Sequence, residues 1–117
     1  MARIVFILLL TSISVAGSKA QPKLLPTNLR ITVIDGLGNF VEDATVTIYE
    51  SQDDYLNGAN PVAMLRSDKK GVVKFKKLKP IAYYIDARKG DQNNDGEGVA
   101  TAALQEGRTN KVNTVIE

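Results

Sequence analysis

The sequence predicts an all-β fold, a seven-stranded antiparallel Greek-key β-sandwich, and three observations lead to this prediction. Short stretches alternate apolar and polar residues, glycine-containing turns separate them, and no stretch has the apolar spacing of an amphipathic helix. A period of two gives each strand one core-facing side. The stretches are therefore expected to pack as two sheets over a shared core.

Each predicted strand is a short alternating or apolar run. Leu29, Ile31 and Val33 alternate with polar neighbours, and the turn at 35–39 that follows contains two glycines. The polar segment 51–61 leaves room for one short helical turn at 52–56. The seven strands are predicted at 29–35, 44–49, 62–66, 72–76, 81–89, 99–104 and 112–116.

The first twenty residues predict secretion. An early base at Arg3, an apolar run that follows it, and small residues before a cleavage point after Ala20 are typical of a signal peptide. Cleavage after Ala16 is the alternative. Because the apolar run is too short for a membrane span, we expect the segment to be removed.

The remaining chain predicts a single domain outside the cytoplasm. Residues 21–28 form an extended leader, and residues 29–117 form the sandwich. The absence of cysteine is common in bacterial exported proteins. We therefore expect a periplasmic or extracellular bacterial protein that does not span a membrane after the signal is cleaved.

The charge balance argues against a nucleic-acid partner. The chain has 15 Lys and Arg against 13 Asp and Glu, and two of the bases, Arg3 and Lys19, leave with the signal. The mature chain is thus close to neutral and lacks the overall basic charge that nucleic-acid binding favours.

The residue types present restrict catalysis. The chain has no histidine and no cysteine, which removes the commonest general base and the thiol nucleophile. We therefore expect a protein that is not an enzyme, with no catalytic residues and no required cofactor. A hydrolase that uses carboxylates alone is the remaining alternative, for which the adjacent pairs are Asp53 with Asp54 and Glu42 with Asp43.

Two segments resemble the transthyretin-like, or carboxypeptidase regulatory-like, β-sandwich family, which is prealbumin-like and related to Cna protein B-type domains. The first is similar to D-x-x-G-x-P-V-x-G-A-x-V, with Phe40 in place of the proline and Asp43 in place of the second glycine. The second is similar to T-D-x-x-G-x-x-x-F-x-x-L-x-P-G-x-Y. The matching residues are Asp35, Gly38, Val41, Ala44 and Val46, then Asp68, Gly71, Phe75, Leu78, Pro80 and Tyr83. The resemblance implies the sandwich fold and little about activity.

The stretch KGDQNNDGEGV, residues 89–99, contains the candidate metal ligands. Asp91, Asn93 and Asp95 alternate ahead of Gly96, as in the first half of a calcium-binding loop. Position 12 of that loop would be Ala102 rather than a bidentate glutamate, which excludes an EF-hand. We expect a recognition loop. Weak calcium binding at millimolar levels by these three residues with Glu97 is the alternative.

Two kinds of side chain are candidate partner-binding residues. Tyr49 and Tyr84 point away from the core by alternation, and exposed aromatic rings stack on sugars or pack against a partner. Lys74 and Lys76 point outward on the fourth strand, where lysines also protect a sheet edge.

The expected function follows from these residues and from the expected location. We expect a non-catalytic module for protein or carbohydrate recognition at a bacterial cell envelope, with an unidentified envelope protein or glycan as partner. The alternative is a structural or assembly domain that docks through its basic strand and acidic hairpin.

Overall fold

A computed structural model describes residues 25–96 and 98–117. The predicted signal peptide and its cleavage sites lie outside the described residues, as does most of the predicted leader. The elements are β1 (Asn28–Asp35), β2 (Thr45–Tyr49), α1 (Gln52–Asn57), β3 (Ala63–Arg66), β4 (Val72–Phe75), β5 (Tyr84–Lys89), β6 (Gln92–Asn93) and β7 (Thr109–Ile116). No helix of the described part is long and apolar enough to cross a bilayer.

The strands form two sheets, which confirms the all-β prediction. One sheet has the order β4-β1-β7 and the other the order β3-β2-β5-β6. The prediction of purely antiparallel pairing is wrong, because β1 and β7 run parallel over eight residue pairs, from Asn28 opposite Thr109 to Asp35 opposite Ile116. Alternation tells which face of a strand is buried but not which strand lies beside it.

The core lies between the inner faces of the two sheets. Alternate residues of β1 and β2 enter it as predicted, and Tyr83 is also buried with its hydroxyl accepting from Lys79 N and donating to Lys79 O. The buried apolar set is Leu29, Ile31, Val33, Val41, Ala44, Val46, Ile48, Val73, Phe75, Tyr83, Ile85, Ala87, Leu104 and Ile116. At roughly 25 cal/mol per Å² of apolar surface removed from water, this set is the main source of stability.

The predicted sixth strand at 99–104 is wrong. In the described residues this segment pairs with β5 at a single bridge, Ala100 opposite Tyr84, with Ile85 N donating to Val99 O. Leu104 then turns into the core and its N–H donates to Ile81 O. The strand that does follow β5 is the two-residue β6, within the stretch predicted as a loop.

The predicted helical turn is confirmed as α1. Ser51 caps its N-terminus by accepting from Asp54 N at 3.1 Å, and Asp53 and Asp54 in the first turn are favourable to the helix dipole. Gly58 ends the helix in the left-handed conformation, where its N–H bonds to carbonyls of the last turn.

Two turns share one motif, D-x-x-G. In the first, Asp35 Oδ1 accepts from the N–H groups of Leu37 and Asn39, both at 2.9 Å. In the second, Asp68 Oδ1 accepts from those of Lys70 and Val72, at 2.8 and 2.9 Å. In each turn the glycine N–H donates to the aspartate carbonyl, and the glycine has a positive φ. Four of the residues that match the family patterns, Asp35, Gly38, Asp68 and Gly71, thus form two turns of the same construction.

Candidate functional site

Three tyrosines cluster on the outer face of the four-stranded sheet. Tyr49 and Tyr84 are opposite each other across β2 and β5, and Tyr55 from α1 lies over both. Its ring centroid is 6.0 Å from that of Tyr49, at an interplanar angle of 77°, and 6.1 Å from that of Tyr84. Edge and tilted arrangements of this kind are the favourable geometries for aromatic pairs.

The prediction that Tyr49 is exposed is wrong, since only 7% of the residue is accessible. Tyr84 is half-buried. Both residues point away from the core, as alternation requires, but α1 packs its Tyr55 against that face. Tyr55 is half-buried as well, and it is the tyrosine of the cluster that lines the neighbouring depression. The sequence analysis did not select it.

A concavity of about 400 Å³ adjoins the tyrosine cluster. Its floor carries an ion pair between neighbours on one face of β5, with Arg88 Nε 3.0 and 3.1 Å from the two carboxylate oxygens of Asp86. Its rim includes Leu56, which is 68% exposed. The lining residues are Tyr55, Leu56, Asp86, Arg88, Asp95 and Val99. We name this feature the β5 concavity.

The electrostatics of the β5 concavity favour a protonated Tyr55. Burial raises its pKa above the ordinary value of 10.0, and the negative charges of Asp95 and Asp86 raise it further, against the opposing effect of Arg88. The phenol therefore keeps its proton at neutral pH and can donate it to a ligand acceptor. An aromatic ring, a donor hydroxyl, a planar guanidinium and carboxylates in one concavity are groups that recognise sugars and peptides.

The candidate calcium ligands lie apart in the described residues. Asp91 lies in the turn between β5 and β6, in a depression shared with Glu42, whereas Asp95 lines the β5 concavity. Asn93 lies beside the chain terminus, and its Oδ1 accepts from Asp95 N at 3.0 Å. Glu97 lies outside the described residues. The three described side chains thus border three different depressions.

Asn94 organises the stretch that contains these candidates. It is fully buried, its Oδ1 accepts from Ala87 N at 2.9 Å, and its Nδ2 donates to Ile85 O at 2.9 Å and to Thr114 Oγ1 at 2.8 Å. The oxygen and the nitrogen of this side-chain amide both make hydrogen bonds in the interior. They satisfy backbone groups of β5 that a paired strand would otherwise satisfy. No sequence pattern indicates this role, because Asn94 stands among equally polar neighbours.

Gly98 fixes the other end of the same stretch. It has φ +78°, and a Cβ placed there would lie 2.7 Å from Thr114 Cα. Only glycine fits this approach to β7. The stretch 89–99 is therefore held closely to the body of the domain at Asn94 and at Gly98.

Lys74 and Lys76 lie on the other side of the sandwich, and both are exposed. Lys74 is on β4, directly opposite Arg30 of β1. The carboxylate pairs considered for hydrolysis have structural contacts: Asp43 Oδ1 is 3.0 Å from Arg66 Nη1, and Asp54 Oδ1 accepts from Asn60 Nδ2 at 3.1 Å.

The described residues thus define a class: a small two-sheet β domain with a tyrosine-rimmed concavity on one outer face. No family description and no curated protein matches the sequence. Solved structures do match. The Bacillus anthracis TIE protein aligns over 79% of this chain and 17% of its own, with 25% identity and a TM-score of 0.55.

Two dioxygenases also align with this chain, at lower sequence identity. Hydroxyquinol 1,2-dioxygenase from Pseudomonas putida DLL-E4 aligns over 84% of this chain and 58% of its own, with 11% identity and a TM-score of 0.51. Chlorocatechol 1,2-dioxygenase from Pseudomonas putida aligns over 80% and 61%, with 14% identity and a TM-score of 0.48. This chain therefore spans less than two thirds of each of these three structures.

These neighbours correct one prediction. The prediction that the protein is not an enzyme is wrong as an inference from the type of fold. Hydroxyquinol 1,2-dioxygenase is an enzyme, and its fold aligns with most of this chain. At 11% identity the likeness shows the fold alone, and one fold hosts many activities. Function must therefore be argued from the site.

Proposed function

We propose that this domain is a secreted or periplasmic recognition module of a bacterial cell envelope that binds a protein or carbohydrate ligand in the β5 concavity. The observation that supports the proposal is the convergence of Tyr55, the Asp86–Arg88 pair and exposed Leu56 around one depression. An aromatic and apolar rim around a few fixed polar groups is what small-ligand and peptide sites have in common.

The test is ligand capture followed by substitution at the rim. Mature protein is screened on a glycan array and by affinity capture from native envelope extract. Leu56→Ser and Tyr55→Ala should then lower the signal about tenfold, because an aromatic anchor at a binding site typically contributes more than 1 kcal/mol. Leu37→Ser, at an exposed position in the β1–β2 turn, is the matched control.

Two outcomes would count against the proposal. One is the absence of any captured ligand from both screens. The other is capture that survives both rim substitutions, since the ligand would then bind elsewhere. Because Tyr55→Ala also uncovers Tyr49, the thermal midpoint of each variant is measured. Leu56→Ser, at an exposed position, tests the concavity without uncovering Tyr49.

We also infer membership of the transthyretin-like family and export by the N-terminal signal. The family inference is supported by the paired D-x-x-G turns and by Asp43, whose φ is +67° where the family pattern has glycine. Positive φ is the reason for glycine at such a position. Export is tested by N-terminal sequencing of the secreted protein. Gln21 as first residue supports cleavage after Ala20, Gly17 supports cleavage after Ala16, and Met1 contradicts both.

A second candidate function is the structural or assembly role, and it is favoured by exposed Lys74 in β4 and exposed Lys76 just after that strand. Association through such charges would weaken with salt. Sedimentation of the mature protein with envelope extract at low and high ionic strength tests this role, and a monomer that captures nothing at any ionic strength contradicts it.

Weak calcium binding by Asp91, Asn93, Asp95 and Glu97 also stays a prediction. Calorimetric titration with millimolar calcium, alongside the thermal midpoint, tests it. Heat of binding with a raised midpoint confirms the prediction, and a flat titration with an unchanged midpoint contradicts it.

A further inference from the structure

Three cationic side chains form a row across the outer face of the three-stranded sheet. Arg30 of β1 is directly opposite Lys74 of β4 on one side and Lys111 of β7 on the other. Neighbouring strands are about 4.8 Å apart, so the row spans roughly 10 Å. All three residues are exposed. We call this set the cationic row.

The cationic row forms no close ion pair with its surroundings in the described residues. Within residues 25–96 and 98–117 the ion pairs join Arg66 to Asp43, Lys79 to Glu50 and Arg88 to Asp86, and none includes a member of the row. The carboxylate of Asp68 interacts with the Arg30 charge and offsets part of it, which leaves Lys74 and Lys111 without an acid partner of this kind in the described part of the chain. Like charges directly opposite on adjacent strands destabilise a sheet. The arrangement therefore opposes folding and favours an anionic ligand.

The residues on either side of the row carry hydroxyl and amide groups. Thr32 and Asn113 are opposite each other on one side of it, and Asn28 and Thr109 on the other. Lys76 and Lys77 add two exposed bases next to Asn28, whose Oδ1 accepts from Lys77 N. Of the large exposed apolar side chains, Phe40 borders this face beyond the row, because it pairs with Ile34 near the end of β1. Leu56 and Met64 belong to α1 and β3, on the other sheet.

We propose that the outer face of the three-stranded sheet binds a linear anionic polysaccharide, whose carboxylates lie along Lys74, Arg30 and Lys111 and whose hydroxyls bond to the flanking threonines and asparagines. An extended polymer with repeated charge matches a flat face with a line of cations. A bilayer surface fits less well, because the residues that flank the row on β1 and β7 are threonines and asparagines rather than apolar anchors. This site is separate from the β5 concavity, and its test does not depend on that proposal.

The test uses oligogalacturonate, which carries a carboxylate on every sugar, with neutral dextran oligomers as the uncharged comparison. Binding of full-length mature protein is measured by calorimetry or biolayer interferometry at several salt concentrations. We expect oligogalacturonate to bind with an affinity that falls as salt rises, and dextran not to bind. Arg30→Gln with Lys111→Gln should weaken binding about two- to thirtyfold, the effect of two exposed ion pairs.

The matched control is Arg66→Gln with Lys89→Gln, which removes the same charge from the other sheet and should leave the affinity within twofold. Equal losses in the two double variants would overturn the proposal, because they would show a response to net charge alone. No binding of oligogalacturonate at low salt would also overturn it. Binding to polyglutamate at equal affinity would assign the face to an acidic protein segment. Binding only to phosphatidylglycerol vesicles would assign it to a membrane.

A stability measurement distinguishes binding function from folding damage. The Arg30→Gln and Lys111→Gln variant removes facing like charges, so its thermal midpoint should equal or exceed that of the wild type. Lost binding with a raised midpoint supports the proposal. Lost binding with a midpoint lowered by several degrees attributes the loss to the fold and contradicts a site made by these two side chains.

Discussion

The two D-x-x-G turns have the same hydrogen bonds, yet their glycines occupy different surroundings. Gly38 has φ +86° and no atom within 4 Å of the position a Cβ would take, whereas Gly71 has φ +75° and a Cβ there would lie 2.5 Å from Val33 O. That oxygen already accepts from Val41 N. One glycine is required by its backbone conformation alone, and the other by conformation and by close packing against β1.

The largest expected effect is therefore that of Gly71→Ala. The substitution combines a left-handed conformation with a clash against a backbone oxygen that cannot move without breaking its hydrogen bond. We expect a loss of about 3 to 5 kcal/mol in the free energy of unfolding, at the upper end of single substitutions. Urea denaturation followed by circular dichroism measures it. A loss below that of Gly38→Ala would contradict the distinction between the two turns.

Gly38→Ala isolates the conformational part of the same effect. Open space surrounds the added methyl group, so only the left-handed conformation is penalised, at about 1 to 2 kcal/mol. The measurement is the same denaturation. Gly38→Asn is the control, and it should recover part of the loss because asparagine tolerates this conformation better than alanine.

The aspartates should show no such difference. Asp35→Ala and Asp68→Ala each remove a carboxylate that accepts from two backbone N–H groups, and both should lower the urea midpoint by a similar amount, less than Gly71→Ala does. Clearly unequal falls in the urea midpoint would show that the surroundings of the second turn affect its aspartate as well as its glycine.

The smallest expected effect is on the pH dependence of stability. Hydrogen bonds from Asn39 N lower the pKa of Asp35, and those from Val72 N and Lys70 N lower the pKa of Asp68, each below the ordinary 3.8. The unfolded chain therefore binds protons first as acid is added. The stabilisation that the two ionised carboxylates provide is present above pH 3.8. It is lost as the pH falls through their pKa values in the folded protein. In the double variant Asp35→Asn with Asp68→Asn, the thermal midpoint should fall less steeply than in the wild type as the pH is lowered below 3.8. A midpoint that falls as steeply as in the wild type would show that these two carboxylates do not cause the acid sensitivity.

The sequence predicted the fold where the information is local. Alternation placed Val46 and Ile48 in the core, and the two D-x-x-G signals marked turns that the structure contains. Alternation could not predict the parallel pairing of β1 with β7. These strands are about 80 residues apart, and their partnership depends on the packing of the whole chain.

The candidate sites were predicted less well for a related reason. Tyr49 was assigned to the correct face, but its burial depends on α1 folding over that face, which periodicity does not describe. The cationic row depends on three strands that meet only in the folded sheet. Asn94 is distinguished from its polar neighbours by burial alone.

The parallel pairing of β1 and β7 also determines how the domain would respond to tension. A pull outward on the beginning of β1 and on the end of β7 acts at opposite ends of the paired strands. The eight residue pairs from Asn28 to Ile116 are then loaded together in shear rather than opened one after another. If the domain were attached through these two ends, all the hydrogen bonds between β1 and β7 would resist stretching at the same time. That arrangement suits a domain that has to bear load.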